Sequence, residues 1–396
     1  MGALDGVVVA DFGRVLAAPY ATMMLADLGA EVVKVEHPRG DETRAWGPPH
    51  ARGEATYFLS VNRNKRSRVL DLATAEGRAA ARELALGADV LVENFRPGTM
   101  RRFGLDYETL SKEHARLVYC SVTGFGSGRG ADLPGYDLLV QAVGGLMSVT
   151  GAAEPTKVGV ALVDVLTGMH AAVGVLAALR HRDATGEGQA VGVDLLSVLL
   201  SSMVNQSAGY TLAGAVPGLL GNRHPSIAPY EVFPTADRPV VPAVGNDRQF
   251  ARLREAPGLP ADERFATDEL RVAHVDALAE SLTGRLRTRP AAHWFALLTP
   301  LGVPCGPVND LAGAFEPAES LGLRPTADVD GPALVSNPIR MSATPPTYRL
   351  PPPALGGATG SGWRRAARRP QRTERTTPPS ARTAAPLVTL ASGLAR

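Results

Sequence analysis

The stretch Val7–Glu36, VVVADFGRVLAAPYATMMLADLGAEVVKVE, decides the fold that this sequence predicts. Val7–Asp11 is a uniformly apolar run ending in an acid, which is typical of a buried strand in a parallel sheet. A helical pattern follows over Ala21–Gly29, and Glu31–Glu36 has the pattern of a second strand. A strand, a helix and a strand within about 30 residues indicate a Rossmann-type unit. The first loop, GRVLAAPY, lacks the GxGxxG spacing, so a dinucleotide cradle is not indicated.

The alternation of strands and helices continues through the first half of the chain. Further strands are predicted at Arg68–Leu72, Asp89–Glu93, Leu117–Val122 and Gln189–Asp194. This pattern predicts an α/β fold with a Rossmann-like large domain around a mostly parallel sheet. In such folds ligands bind beyond the carboxyl ends of the strands, so the loops there are candidate binding loops.

The composition of the sequence changes at Gly209–His224, a connector rich in Gly, Ala and Leu. We therefore predict a large domain over 1–208, a linker with a small α+β domain over 209–318, and a segment over 319–360 that returns to the large domain. Residues 361–396 hold eight arginines against one glutamate, with no helical or strand periodicity. This tail has the composition of a disordered segment, or of an out-of-frame translation.

Composition narrows the functional class. Of 396 residues, 45% are hydrophobic and 20% charged, as in an ordinary soluble protein. The net charge of +2 divides into +7 on the tail and −5 on residues 1–360, and an acidic body argues against a nucleic-acid partner. Cys120 and Cys305 are too few for a disulfide framework, which favours the cytoplasm, and no spacing indicates a metal site. No uncharged apolar run approaches the roughly 20 residues of a membrane span, and no signal peptide is apparent.

A lone acid, Asp164, lies within VGVALVDVLTGMHAAVGVLAALRHR, residues 158–182. The run Val158–Val163 before it is strand-like, and the pattern after it is helical and rich in small residues, which predicts close packing. Asp164 is then either a helix N-cap or a carboxylate nucleophile. In both cases the positive helix end is expected to keep it ionised.

Basic residues are concentrated in the loops at the predicted ligand edge. They are Arg39, Arg44, Lys65, Arg66, Arg96 and Arg102. Arginine and lysine at strand ends suit an anionic, phosphorylated ligand. A nucleotide-bearing carrier such as coenzyme A fits a site that lacks its own GxGxxG loop.

Several motifs occur in one characteristic order. Besides the opening stretch they are GDETRAWGPP, YFLSVNRNKRSRVLDL, VENFRPG, GYDLLVQA, ALVDVLTGMHAAVGVLAAL, GNRHPSIAPYEVF and GVPCGPVND. From about Leu4 to Gly356 the sequence resembles the family III CoA-transferases, the group that includes formyl-CoA transferase, carnitine CoA-transferases and α-methylacyl-CoA racemase.

The resemblance implies a fold, an activity and a set of site residues. Two subunits would thread through each other as an interlocked homodimer, and the substrates would be an acyl-CoA and a carboxylic acid, with no metal. The family's nucleophile falls on Asp164. Its coenzyme A contacts fall on Val15, Leu16, Ala17, Leu70, Ala73, Asn94, Phe95, Arg96, Arg102 and Tyr136. The adenine-side arginine matches Arg39, with His37 competing for that position.

Two alternatives stay open on the sequence. The racemase of this group pairs an aspartate with a histidine from a GHD motif, where this chain reads GYD with Tyr136. A tyrosine is a poor base at neutral pH, which favours the transferase; His170 is expected to be a packed core residue. A coenzyme A-binding protein with a dead site is the other alternative. No glycine-rich loop like that of formyl-CoA transferase is present, so oxalate or formate is not implied.

Overall fold

A computed structural model describes residues 2–331 and 333–358. Its strands are β1 Val8–Phe12, β2 Glu31–Glu36, β3 His50–Ala51, β4 Glu54–Ala55, β5 Lys65–Val69, β6 Val90–Glu93, β7 Val118–Thr123, β8 Ala190–Asp194, β9 Val240–Pro242, β10 Cys305–Pro307, β11 Thr326–Asp328 and β12 Ala333–Val335. The predicted 361–396 tail lies outside the described residues.

The helices alternate with the strands β1, β2, β5, β6, β7 and β8 and dominate the later chain. They are α1 Ala17–Asp27, α2 Thr56–Ser60, α3 Ala75–Gly87, α4 Thr99–Phe103, α5 Tyr107–Leu110, α6 Asp137–Val143, α7 Leu146–Val149, α8 Leu162–Thr185, α9 Leu195–Ser202, α10 Asn205–Ala213, α11 Asp247–Glu255, α12 Asp268–Ala273, α13 Val275–Leu286, α14 Ala291–Leu298 and α15 Leu311–Ser320.

The central sheet has six strands in the order β5-β2-β1-β6-β7-β8. Every pairing between neighbouring strands is parallel, which confirms the predicted α/β class. The chain builds outward from β1 in one direction and then from β6 in the other. This is the strand order of doubly wound folds, whose ligands bind where the order reverses. The loops after β1 and β6 therefore flank the expected site.

Two predicted strands are misplaced. The run Val158–Val163 is not a strand, because α8 already begins at Leu162 within it. The strand predicted at Arg68–Leu72 lies instead at Lys65–Val69. Short apolar runs of valine and alanine fit a helix start as well as a strand, and the apolar pattern could not show that charged Lys65 is buried in the sheet.

The small residues of α8 allow it to approach α1 closely. A Cβ atom added at Gly168 would lie 2.6 Å from the Ala17 carbonyl oxygen and 3.1 Å from the Tyr20 ring. One at Gly174 would lie 2.7 Å from Val191 on β8. The small-residue pattern is thus explained by packing between α8, α1 and the sheet, as predicted.

Replacement of Gly168 by alanine is expected to destabilise the protein. The new methyl group would press on the backbone of α1, and overpacking of this kind costs about 1–3 kcal/mol. Gly284→Ala is the matched control, since its Cβ would meet nothing within 4 Å and alanine is favoured in a helix by up to about 1 kcal/mol. Urea unfolding should show opposite changes; equal stability of Gly168→Ala and wild type would contradict this packing.

By length and hydropathy alone, α8 is the one helix among the described residues that could cross a membrane. The apolar pattern of the sequence did not predict a helix of this length and hydropathy. Ala171, Val175 and Ala178 of this helix are buried, and they belong to the apolar cluster that also includes residues of α1 and of the central sheet. Helices in the core of folded proteins can have the same length and hydropathy.

The later chain has its own buried cluster, which includes Phe233, Leu282 and Trp294. The GVPCGPVND stretch contains β10, which pairs antiparallel with β9. Near the end of the described chain, Arg349 donates to the Ala26 and Ala30 carbonyls beside β2, both at 2.9 Å. The domain boundaries at 208, 318 and 360, and the interlocked homodimer, stay predictions.

Candidate active site

The loop after β1 is held by buried charges beneath it. The Lys34 Nζ atom donates to the Gly13 carbonyl at 2.8 Å and pairs with Asp41 at 2.9 Å. Asp11 accepts from the Gly13 N–H at 2.8 Å and pairs with Lys65 at 3.0 Å. Burial lowers the pKa of Lys65 to about 8. A charge that is buried away from water needs an opposite charge or a hydrogen-bond partner, and each of these charges has one. Their bonds to Gly13 fix the backbone of the loop.

Val15, in the same loop, has a backbone φ of 65°. This left-handed conformation is rare for a β-branched residue and is strained. The Asp41 carboxylate accepts from its N–H at 3.3 Å, while the preceding residue, Arg14, is bonded through both backbone groups to the Asn94 side chain, each at 2.8 Å. The loops after β1 and β6 are thus joined, and the strain is maintained by surrounding contacts.

A cavity of about 380 Å³ opens between these loops at the point where the strand order reverses. Asp164 lines it. The predicted coenzyme A contacts that line the same cavity are Val15, Leu16, Ala17, Asn94, Phe95, Arg96 and Tyr136. The structure therefore brings eight of the twelve predicted site residues to one place.

A second cavity, of about 600 Å³, adjoins the first at the carboxyl ends of β2 and β5. It is lined by the predicted residues Arg39, Leu70 and Ala73, together with His37, the competitor for the Arg39 position. Four residues line both cavities and so form their junction: Arg14, Glu42, Phe95 and Thr99. Arg102 lines neither of them; it is exposed on α4.

The expected basic set is only partly available to a ligand. Lys65 is fully buried against Asp11, and Arg44 is paired with Glu36 and Glu54, both at 2.8 Å. Arg66 faces Glu31 on the surface at 3.8 Å. Sequence position alone could not show that these cations are used inside the fold. Of the six, Arg39 and Arg96 line the cavities with exposed side chains.

Asp164 is the third residue of α8, and it is not the cap of that helix. The helix N-cap is Ala161, and the oxygen that caps the first turn belongs to Asp137 on α6. Asp137 Oδ1 accepts from the Val163 N–H at 2.8 Å and from the Asp164 N–H at 3.4 Å. The N-cap interpretation of Asp164 is therefore wrong, and its own carboxylate is left to face the cavity.

The pKa of Asp164 is not held low by the helix end, in contrast to what the sequence led us to expect. Burial, followed by repulsion from the neighbouring Asp137 carboxylate, raises the pKa of Asp164 to about 7. Loss of solvent and a like charge outweigh the helix end. A carboxylate with this pKa is more basic than an ordinary aspartate, and it is still ionised in a large fraction of molecules at neutral pH.

The surroundings of Asp164 bear on the alternative chemistry. Burial, then the charges of Asp164 and Asp137, raise the pKa of Tyr57 to about 12, so its hydroxyl remains protonated. None of the described residues that line the Asp164 cavity is a histidine. His170, expected in the core, is exposed, and its Nδ1 lies 2.8 Å from the Leu166 carbonyl. A second base placed as in a racemase is not found in this cavity.

The fold is of the α/β class, and it places the Asp164 carboxylate in one of two adjoining cavities at the switch point of the sheet. The profile of CoA-transferase family III matches residues 4–359. The succinate–glutarate CoA-transferase of Agrobacterium fabrum is 44% identical over 371 residues, covering 89% of this chain and 93% of that protein. The chain therefore belongs to CoA-transferase family III, and the resemblance stated from its motifs is confirmed.

Other relatives agree with this assignment. The human succinyl-CoA:glutarate CoA-transferase is 38% identical, covering 90% of this chain and 84% of that protein. Among solved structures, a CAIB/BAIF family protein from Brucella suis matches with a TM-score of 0.83 and 39% identity, covering 90% of this chain and 97% of that one.

Sequence reasoning missed three residues that matter here. Asp137 lies in the GYDLLVQA motif, Tyr57 in the YFLSVNRNKRSRVLDL motif and Arg14 in the loop GRVLAAPY, but none of the three was predicted to be a site residue. The acid that follows Tyr136 was a possible signal, because an acid at a helix start can cap another helix end nearby. No pattern in the sequence indicated that the helix it caps would be α8. Among the described residues, no group of three or more His, Cys, Asp or Glu side chains is placed to hold a metal ion.

Proposed function

We propose that this enzyme moves CoA from an acyl-CoA thioester to a carboxylic acid through covalent intermediates on Asp164. The observation that carries the proposal is the position of Asp164. Asp164 does not cap its helix, and it lines the cavity beside the loops that contain the predicted coenzyme A contacts. In this proposal coenzyme A is a substrate, bound with its thioester in the Asp164 cavity and its nucleotide end in the adjoining one.

The chemistry needs one nucleophile and no external energy source. The Asp164 carboxylate attacks the thioester carbonyl, the C–S bond breaks, and a mixed anhydride and CoA thiolate result. The thiolate attacks the aspartyl carbonyl and releases the donor acid, which leaves an aspartyl-CoA thioester. The acceptor carboxylate attacks that thioester to form a second anhydride. The returning thiolate then takes the acceptor acyl group and restores Asp164.

The surrounding residues favour these steps physically. The raised pKa of Asp164 increases its basicity, and nucleophilic strength follows basicity within one type of group. Helix α1 begins at the wall of the cavity, which Leu16 and Ala17 line. The N-cap residue of this helix, Leu16, accepts no hydrogen bond through its side chain. The backbone N–H groups of the first turn of α1 and the positive helix end are suited to stabilise a tetrahedral oxyanion.

We further propose that the acids exchanged are short dicarboxylic acids. The names of the relatives support this class: succinate and glutarate in Agrobacterium fabrum and human, and mesaconate in Haloarcula hispanica. The homodimer and the cytoplasmic location are kept as proposals of the same kind, resting on the resemblance and on the cysteine usage.

A panel of donors and acceptors tests the substrate class. With succinyl-CoA as donor, we expect glutarate and similar dicarboxylates to be converted to their CoA thioesters, as read by mass spectrometry. Monocarboxylates of equal length, such as pentanoate, are the matched control and should react at least about tenfold more slowly, because a site built for a second carboxylate loses that contact. Equal rates for both classes would contradict the dicarboxylate proposal. Exchange of α-hydrogen for deuterium without transfer would contradict the transferase itself.

A further inference from the structure

The junction of the two cavities contains an exchangeable ion pair, Arg14–Glu42. Among the described residues, Arg14 is the one cationic side chain that lines both cavities. Its guanidinium also lies over the Phe95 ring, with its carbon 5.9 Å from the ring centroid. Arg39 lies in one cavity and Arg96 in the other, so Arg14 occupies the position between them.

The backbone of Arg14 is bonded to Asn94, whereas its side chain is half-exposed and paired with an equally exposed partner. The Asn94 side chain accepts a hydrogen bond from the Arg14 N–H and donates one to the Arg14 carbonyl, both at 2.8 Å. These two bonds fix the position of the Arg14 backbone between the cavities. The side chains of Arg14 and Glu42 are 45% and 46% exposed. Exposed ion pairs contribute little to stability, so Arg14 can exchange Glu42 for another anion at small cost.

The orientation of the substrate determines which anion that is. Coenzyme A carries its thiol at one end, its adenosine 3′-phosphate at the other and a diphosphate between them. A thioester at Asp164 directs the nucleotide end through the junction into the adjoining cavity. The charged group that passes between the two ends is the diphosphate, and an arginine over an aromatic ring is well suited to bind it.

We propose that Arg14 binds the diphosphate of coenzyme A by exchanging it for Glu42, so that Glu42 competes with the substrate. This inference rests on the proposed function for the orientation of the substrate. Glu42 holds Arg14 over the junction in the free enzyme and repels the diphosphate. The two partners of the pair then have opposite effects on binding, which a purely structural ion pair does not produce.

Calorimetric titration of the full chain with coenzyme A and with 3′-dephospho-CoA tests the proposal. Arg14→Gln should weaken the binding of both ligands about tenfold or more, and by the same factor, because both contain the diphosphate. Glu42→Gln should tighten both about two- to fivefold, which corresponds to the loss of a weak competing pair. Arg82→Gln is the matched control: its pair with Glu113 is similarly exposed and lines neither cavity, so binding should not change.

Weaker coenzyme A binding in both Arg14→Gln and Glu42→Gln would overturn the inference. So would unchanged binding in Arg14→Gln, or an Arg14→Gln effect that disappears with 3′-dephospho-CoA. Failure of wild-type protein to bind coenzyme A would overturn it as well. Binding with the expected pattern but without transfer in the substrate panel would instead remove the proposed function and leave the role of Arg14 standing.

Discussion

Replacement of Asp164 by alanine or asparagine is expected to abolish CoA transfer, with turnover falling at least about 10³-fold. Removal of a nucleophile leaves only the binding and polarising groups of a site, which account for a small part of the rate. Coenzyme A affinity should stay near that of the wild type, because the lining residues of both cavities remain. Steady-state kinetics with succinyl-CoA and calorimetric titration with coenzyme A measure the two quantities.

Thermal unfolding separates a lost nucleophile from a lost fold. The pKa of Asp164 in the folded protein, about 7, lies above that of an unfolded aspartate, about 3.9. The folded state therefore loses stability relative to the unfolded state as pH rises between these values, and at neutral pH the charge is destabilising. Asp164→Asn removes the charge, so its melting temperature should equal or exceed that of the wild type. A lower melting temperature together with retained turnover would exclude the nucleophile assignment.

The pH dependence of transfer should follow the ionisation of Asp164. The reactive form is the carboxylate, so kcat/KM should rise tenfold per pH unit on the acid side and level off above about pH 7. The charge that raises the pKa of Asp164 is that of Asp137, and the nearby Tyr57, with its pKa raised to about 12, remains neutral in this range. Asp137→Asn removes the repulsive charge, so the kinetic pKa should fall below 7. It should stay above the ordinary value near 4, since burial is the larger cause.

A matched variant controls for structural damage. Asp137 also accepts from the Gln141 side chain at 2.6 Å, and the asparagine variant turns an amide nitrogen toward that donor. Gln141→Ala removes the same hydrogen bond and retains the Asp137 charge. Both variants should lose some thermal stability, but only Asp137→Asn should shift the kinetic pKa. An unchanged pH profile in Asp137→Asn would show that the Asp137 charge does not act on Asp164.

The sequence predicted five of the six strands of the central sheet to within one residue, because those five are short apolar runs between helical patterns. β2 has the predicted bounds, and the loops after β1 and β6 lie where the ligand edge was expected. The motifs located Asp164 and most of the cavity lining. Such local patterns survive folding because they determine which residues are buried and where the strands end.

Interactions between distant parts of the chain could not be predicted in this way. Lys65 looked like a ligand for phosphate and is a buried partner of Asp11, 54 residues away. The segment around Asp164 left it open whether this residue caps α8, and the cap is Asp137, 27 residues earlier. The acidic strength of Asp164 depends on that distant neighbour and on burial, neither of which is a property of its own segment.

Chemical trapping of the covalent intermediate tests the central claim most directly. Wild-type protein is incubated with succinyl-CoA and hydroxylamine, digested, and analysed by mass spectrometry, with Asp164→Asn as the control. We predict a hydroxamate on Asp164 that requires the acyl-CoA and is absent from the variant, because an aspartyl anhydride or thioester reacts with hydroxylamine whereas a free carboxylate does not. Efficient transfer by wild-type protein with no modification at Asp164, or with modification at another residue, would contradict the account.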